Sequence, residues 1–164
     1  MLASDQPGPG VAFLLTQLGA HAAERFALAL GEHDLTPPLA GIMRLLRATP
    51  GLSQQQLADR LGVAPSRIVG YLDDLEGRGW ISRTRDNEDR RVNVLTLTAQ
   101  GRKAFAVLAA TARGHEAAIT AGLTPTERET LLGLLVKVAD HQQLTPGVHP
   151  GYRTSSTSPR LTEP

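Results

Sequence analysis

Three consecutive pieces of the chain decide its fold: Gly79-Trp80-Ile81-Ser82-Arg83, the charged run Asp86-Asn87-Glu88-Asp89-Arg90-Arg91, and Val92-Asn93-Val94-Leu95-Thr96-Leu97-Thr98-Ala99-Gln100-Gly101. Two short apolar runs flank a charged one, which reads as a β-hairpin with a polar turn. Residues 80–85 and 91–97 are the expected strands, the second setting Val92, Val94 and Leu97 against polar neighbours. Two adjacent arginines near the tip suit the narrow, electronegative minor groove of DNA. The plainer alternative is a solvated charged turn, since Asp86 and Glu88 dilute the local positive charge.

The segment before the hairpin gives it meaning. Ser53-Gln54-Gln55-Gln56 is a capping box, with Ser at the cap and Gln three residues later. It opens a short helix that points Leu57 and Leu61 inward and stops at Gly62. Pro65 stands where a first helical turn begins, Ile68, Leu72 and Leu75 form the buried stripe of the next helix, and Gly77 and Gly79 end it. Two short helices joined by a tight glycine-containing turn are a helix-turn-helix. A hairpin that follows one is a wing.

Further out the signal is helical. Val11, Leu14, Leu15, Leu18, Ala22, Phe26 and Leu30 recur at three-to-four spacing up to Gly31. Thr36-Pro37 caps a second helix through Leu39, Ile42, Met43 and Leu46. After the hairpin, Thr98 caps a long helix containing Phe105, Leu108, Ala112, Glu116 and Ile119, broken by Gly122. Thr124-Pro125-Thr126-Glu127 is a second capping box, opening a last helix with Leu131, Leu134, Leu135 and Val138 inward. The fold expected is mainly α with a small β-wing. Residues 1–10 and 145–164 are rich in Pro, Gly, Ser and Thr and are expected to stay disordered.

Composition narrows the function. The 164 residues favour one domain, and with 4% aromatic content its core must be aliphatic. A net charge of +1 carries no argument for nucleic acid, which must rest on where the arginines stand. There is no cysteine, which excludes disulfides, thiol nucleophiles, Cys-based metal sites and thiol redox sensing. The histidines lack metal-site spacing, so neither a metal nor a cofactor is expected. No apolar run approaches the roughly 20 residues that span a bilayer. Met1 to Gly10 has neither a basic start nor an apolar stretch, so no secretory signal is expected and the cytoplasm is the default. There is no glycine-rich phosphate loop, nucleophile elbow or evident pair of catalytic carboxylates, and so no catalytic residue is assigned.

With these pieces in order, the chain resembles the MarR family of winged-helix transcription regulators over roughly residues 11–143. The resemblance rests on Leu52 to Ala58, on Pro65 to Ile68 running through Leu72 to Ile81, and on Asp89-Arg90-Arg91 with Leu97 to Gly101. It implies a homodimer on double-stranded DNA. Residues 11–35 and 98–144 would form a helical dimerisation region, and residues 36–97 a winged helix-turn-helix DNA-binding region. A two-fold dimer prefers an inverted repeat with half-sites about one helical turn apart.

The candidate DNA-binding residues are Pro65, Ser66, Arg67, Val69 and Gly70 at the start of the recognition helix, and Arg83, Arg85, Asp89, Arg90 and Arg91 in the wing. Arg67 is placed for a bidentate guanine contact, generally worth roughly 1–3 kcal/mol of discrimination; a phosphate contact or a solvated surface role stays open. By the resemblance, Asp89 orients Arg91 into the minor groove, Arg90 meets a phosphate, and Arg83 and Arg85 are candidates for backbone contacts. Two departures from the family pattern stand out. Gly70 replaces a long polar or basic side chain, at a helix cost of about 0.5–1 kcal/mol. Ala64 replaces a capping serine and leaves the helix N–H groups without a side-chain acceptor, a gap that a DNA phosphate would fill.

The resemblance also implies release by a small aromatic or phenolic effector bound between the dimerisation helices and the DNA-binding lobe. His21, Arg25, Met43 and His115 are the candidate ligand-binding residues, with an ordinary structural role as the plainer alternative for each histidine. A winged helix that binds another protein and no DNA is the alternative function. It has no need of paired arginines beside Asp89, and its binding lacks a steep salt dependence.

Overall fold

Local capping chemistry sets where most helices begin. A computed structural model of the chain describes residues 8–85 and 93–148. Its elements are α1 (Val11–Gly31), α2 (Pro37–Ala48), β1 (Leu52–Ser53), α3 (Gln54–Leu61), α4 (Pro65–Gly77), β2 (Ile81–Arg85), β3 (Asn93–Leu97), α5 (Ala99–Ile119) and α6 (Pro125–His141). Both capping boxes form. Ser53 Oγ accepts from Gln56 N at 3.2 Å while Gln56 Oε1 accepts from Ser53 N at 2.9 Å, and Thr124 and Glu127 do the same at the start of α6. The Thr124 N–H and hydroxyl, both donating to Glu127 Oε2, hold that carboxyl below its ordinary range. Thr36 caps α2 and Thr98 caps α5. Gly62 stops α3 in the left-handed region at φ 66°, where a side chain is costly.

The core is one aliphatic cluster at the centre of the helix-turn-helix. Ile42, Met43 and Leu46 of α2, Leu57 of α3, and Ile68, Leu72 and Leu75 of α4 meet there, capped by Ile81 and Leu95 of the sheet. No polar or charged side chain is buried among the described residues. Each fully buried leucine contributes about 1.5–3 kcal/mol relative to an exposed one.

The sheet differs from the expected hairpin in two ways. It has three strands in the order β1-β3-β2, because Leu52 and Ser53 pair antiparallel with Leu95 and Val94. The inward phase of β3 also falls on Leu95 and Leu97, with Val94 on the opposite face. Alternation cannot place Val94 and Leu97 together, and the pairing of Leu95 with Leu52 selects the leucines for the core.

The ends of the chain also depart from expectation. The apolar residues of α6 do not point into this chain: Leu131, Leu134, Leu135 and Val138 are all exposed, and α6 has no buried residue. The N-terminal half of α1 is exposed as well, with Phe13 59% and Leu18 57% accessible. Only the C-terminal half of α1 packs, against α5 and α2, where Leu30 is buried. At the other end, Thr145–Val148 are not loose: Val148 packs against the core cluster, and Arg44 donates a hydrogen bond to the Gly147 carbonyl. At the N-terminus residues 8–10 are exposed and form no regular element, and the other tail residues, 1–7 and 149–164, lie outside the described residues.

Candidate nucleic-acid interface

The surface that can meet DNA is built on the start of α4. Its inner face, Ile68, Leu72 and Leu75, is buried without remainder. That fixes the outer face: Ser66, Arg67 and Gly70 are exposed, Val69 is 37% accessible, and Pro65 is half-buried. The start of α4 is held by α3, whose Gln54 Nε2 donates to the Pro65 carbonyl at 3.2 Å. Ala64 supplies no side-chain cap, so the first N–H groups of α4 keep no side-chain partner from it. A Cβ on Gly70 would meet nothing within 4 Å. No steric demand therefore explains glycine there.

Charge divides α4 in two. Its N-terminal half carries Arg67 and no acid, whereas Asp73, Asp74 and Glu76 crowd the C-terminal half. Those carboxylates repel phosphate, so only the first two turns are electrostatically fit for a groove. The acids are answered from within the protein. Arg78 pairs with Asp74 at 2.7 Å and donates to the Asp34 carbonyl, while its guanidinium lies 5.1 Å from the centre of the Trp80 ring. The Asp74 hydrogen bond raises the Arg78 pKa above its ordinary value.

Arg83, a candidate for a backbone contact, is engaged within the protein. Its guanidinium pairs with Asp73 and, at 3.1 Å, with Glu76, and its side chain is only 27% exposed. It ties the wing's first strand to the recognition helix. Arg85, two residues on, is exposed at the strand end opposite Asn93. One measurement separates the two arginines. Each phosphate contact contributes about 0.9 to the slope of log affinity against log salt. Arg83→Gln is expected to leave that slope unchanged, and Arg85→Gln to lower it by about 0.9. A fall of that size for Arg83→Gln would return Arg83 to the DNA backbone.

The wing base is locked to the helix that follows it. The strands are joined by a full ladder from Ile81–Leu97 to Arg85–Asn93, with Ser82 Oγ and Thr96 Oγ1 3.0 Å apart across it. Gly79 turns the chain at φ 67°, and Thr98 Oγ1 donates to its carbonyl at 2.6 Å. The wing tip, with Asp89, Arg90 and Arg91, lies outside the described residues.

Of the four candidate effector residues, only Arg25 and His115 share a cavity among those described. Met43 is wholly buried in the core. His21 is exposed on α1. Arg25 and His115 line a shallow cavity of about 290 Å³ together with Glu32 and His33. The His115 ring packs on Phe26, with centroids 5.1 Å apart. A larger cavity of about 590 Å³ opens between α1, α2 and α5, walled by Phe26, Ala40, Phe105 and Leu108, with Arg44 and Arg113 beside them. The sequence reading passed over these two arginines. The signal was there: Pro37, Ala40, Gly41 and Arg44 share one face of α2 at helical spacing, and Phe105, Ala109 and Arg113 one face of α5. Among the described residues, no cluster of His, Asp or Glu could hold a metal, and no helix is long and apolar enough to cross a membrane.

Helix-turn-helix, three-stranded wing sheet and flanking long helices together define a winged-helix DNA-binding protein. The family model for the MarR family matches residues 35–92. A putative transcriptional regulatory protein for the hcr operon of Thauera aromatica is 35% identical over 112 residues, 68% of each chain. The HTH-type transcriptional repressor Rv2887 of Mycobacterium tuberculosis (strain ATCC 25618 / H37Rv) is 34% identical over 129 residues, 78% of this chain and 91% of that one. Among solved structures, the transcriptional repressor CouR bound to a 23-mer DNA duplex superposes with a TM-score of 0.71 at 33% identity, covering 85% of this chain and 99% of its own. The chain belongs to the MarR family, whose members are transcriptional regulators and not enzymes.

Proposed function

We propose that this chain is a repressor that binds an inverted-repeat operator in double-stranded DNA as a homodimer and is released by a small aromatic or phenolic anion. The observation that carries the DNA reading is the division of α4: an exposed, acid-free start bearing Ser66, Arg67, Val69 and Gly70 on a helix whose other face is fully buried. Similarity to CouR, solved with a DNA duplex, supports the same reading. The dimer is supported by apolar surface that one copy leaves open, on the first half of α1 and all along α6. The effector is supported by the 590 Å³ cavity, which has an apolar wall for a ring and two guanidiniums for an anionic group.

The test is fluorescence anisotropy with a duplex taken from upstream of the chain's own gene, at two salt concentrations. A steep loss of affinity with salt is expected. Arg67→Ala is expected to weaken specific binding by roughly 5- to 150-fold, the range of a lost bidentate base contact. Arg91→Ala is expected to weaken it clearly with the protein still folded. Flat salt dependence with both variants binding as the parent does would instead favour a protein-interaction module.

A further inference from the structure

We propose that Thr145–Val148 is a built-in competitor for the large cavity: its Gly147 carbonyl occupies the Arg44 guanidinium, which an aryl carboxylate must displace in order to bind. This inference rests on the reading of that cavity as the effector site and adds its regulation. After α6 the chain turns back at Gln143, which adopts φ 55°, and Leu144 N donates to the Ala139 carbonyl at 3.0 Å. The turn carries the next residues away from α6 and onto α2. There Arg44 donates to the Gly147 carbonyl, and Val148 packs on the core cluster while lining the cavity. The strap's carbonyl thus engages the guanidinium that would meet a ligand's charge, while Val148 adds to the apolar wall of the cavity.

The chemistry makes the contact exchangeable. A neutral carbonyl is a weaker acceptor for guanidinium than a carboxylate, whose bond is charge-assisted. The strap therefore yields to an anion, and the anion's apparent affinity is reduced by the fraction of molecules in which the strap is closed. Gly147 favours the closed form because it adopts φ 69°, a left-handed conformation that a side chain makes costly. The added Cβ would meet only the mobile end of the Arg44 side chain, so the backbone strain is what biases Gly147→Ala towards the open strap.

The experiment is fluorescence titration of the full chain with 2-naphthoate, and with neutral 2-naphthol as control. Gly147→Ala is expected to tighten 2-naphthoate binding by roughly threefold or more, since it disfavours the closed state. It should change 2-naphthol binding less, because the neutral ligand does not need Arg44. Arg44→Gln is expected to weaken 2-naphthoate about tenfold, and the double variant to match Arg44→Gln, because the competition acts through that guanidinium. Unchanged or weaker 2-naphthoate binding by Gly147→Ala, with Arg44→Gln still impaired, would overturn the competitor and leave the effector site standing. An equal gain for both ligands would overturn competition at Arg44. No saturable binding by any variant would overturn the effector site, and the competitor with it.

Discussion

Gly101→Ala is expected to lower the melting temperature by about 10 °C, through a destabilisation of about 3 kcal/mol. A Cβ at this position would stand 1.8 Å from the Trp80 carbonyl oxygen and 2.7 Å from its carbon. Both are backbone atoms at the base of the wing, so no side chain can swing aside. The surrounding bonds fix the approach: Thr98 N donates to that same carbonyl at 3.0 Å, and Gly101 N donates to Thr98 Oγ1 at 3.0 Å. Relief requires α5 to part from β2, which breaks the cap of α5 and tilts the wing away from α4. DNA affinity is therefore expected to fall together with stability. The check is thermal unfolding followed by circular dichroism at fixed protein concentration, beside anisotropy at a temperature where the variant is folded. A melting temperature within 1–2 °C of the parent would contradict the close approach; a small loss would fit ordinary helix propensity at an open site.

The second large effect concerns assembly. Leu134→Glu combined with Val138→Glu is expected to convert the proposed dimer to monomer and to weaken operator binding by a factor on the order of 100 or more, as linked half-sites are lost. The two residues lie one turn apart on α6, 58% and 45% exposed in the single chain. Carboxylates there cost an isolated subunit little. In an apolar interface they must be desolvated without a partner, which is costly. Sedimentation or light scattering reads the mass, and circular dichroism should show the helices retained. A doubly substituted protein that stays dimeric with full DNA affinity would place the interface elsewhere.

The residues differ in how far the sequence alone exposes their roles. Ser53 with Gln56, Thr98, and Thr124 with Glu127 were legible as caps because a cap is made within three residues of chain. Gly62 was legible as a stop because its left-handed φ is a local demand. β1 was not legible. Two residues carry no periodicity, and Leu52 and Ser53 are a strand only because the edge of β3 offers them a ladder. The phase of β3 was hidden too, since Val94, Leu95 and Leu97 are all apolar and only pairing chooses among them. Arg83 was legible as a charge near DNA, but its partners Asp73 and Glu76 sit on another element. Arg44 and Arg113 share a cavity only after α2 and α5 have packed.

Thus the amino-acid sequence by itself determined the order of helices around one hairpin and the caps that start them, because each is written in short-range spacing, and its motifs carried the resemblance to the family. Tertiary structure alone decided which faces those elements spend on the core. It turned α6 outward because the helix-turn-helix core already closes on α2 and α5 without it. It also set Gly101 against the Trp80 carbonyl, so that a residue with an unremarkable local role became the contact on which the wing is seated.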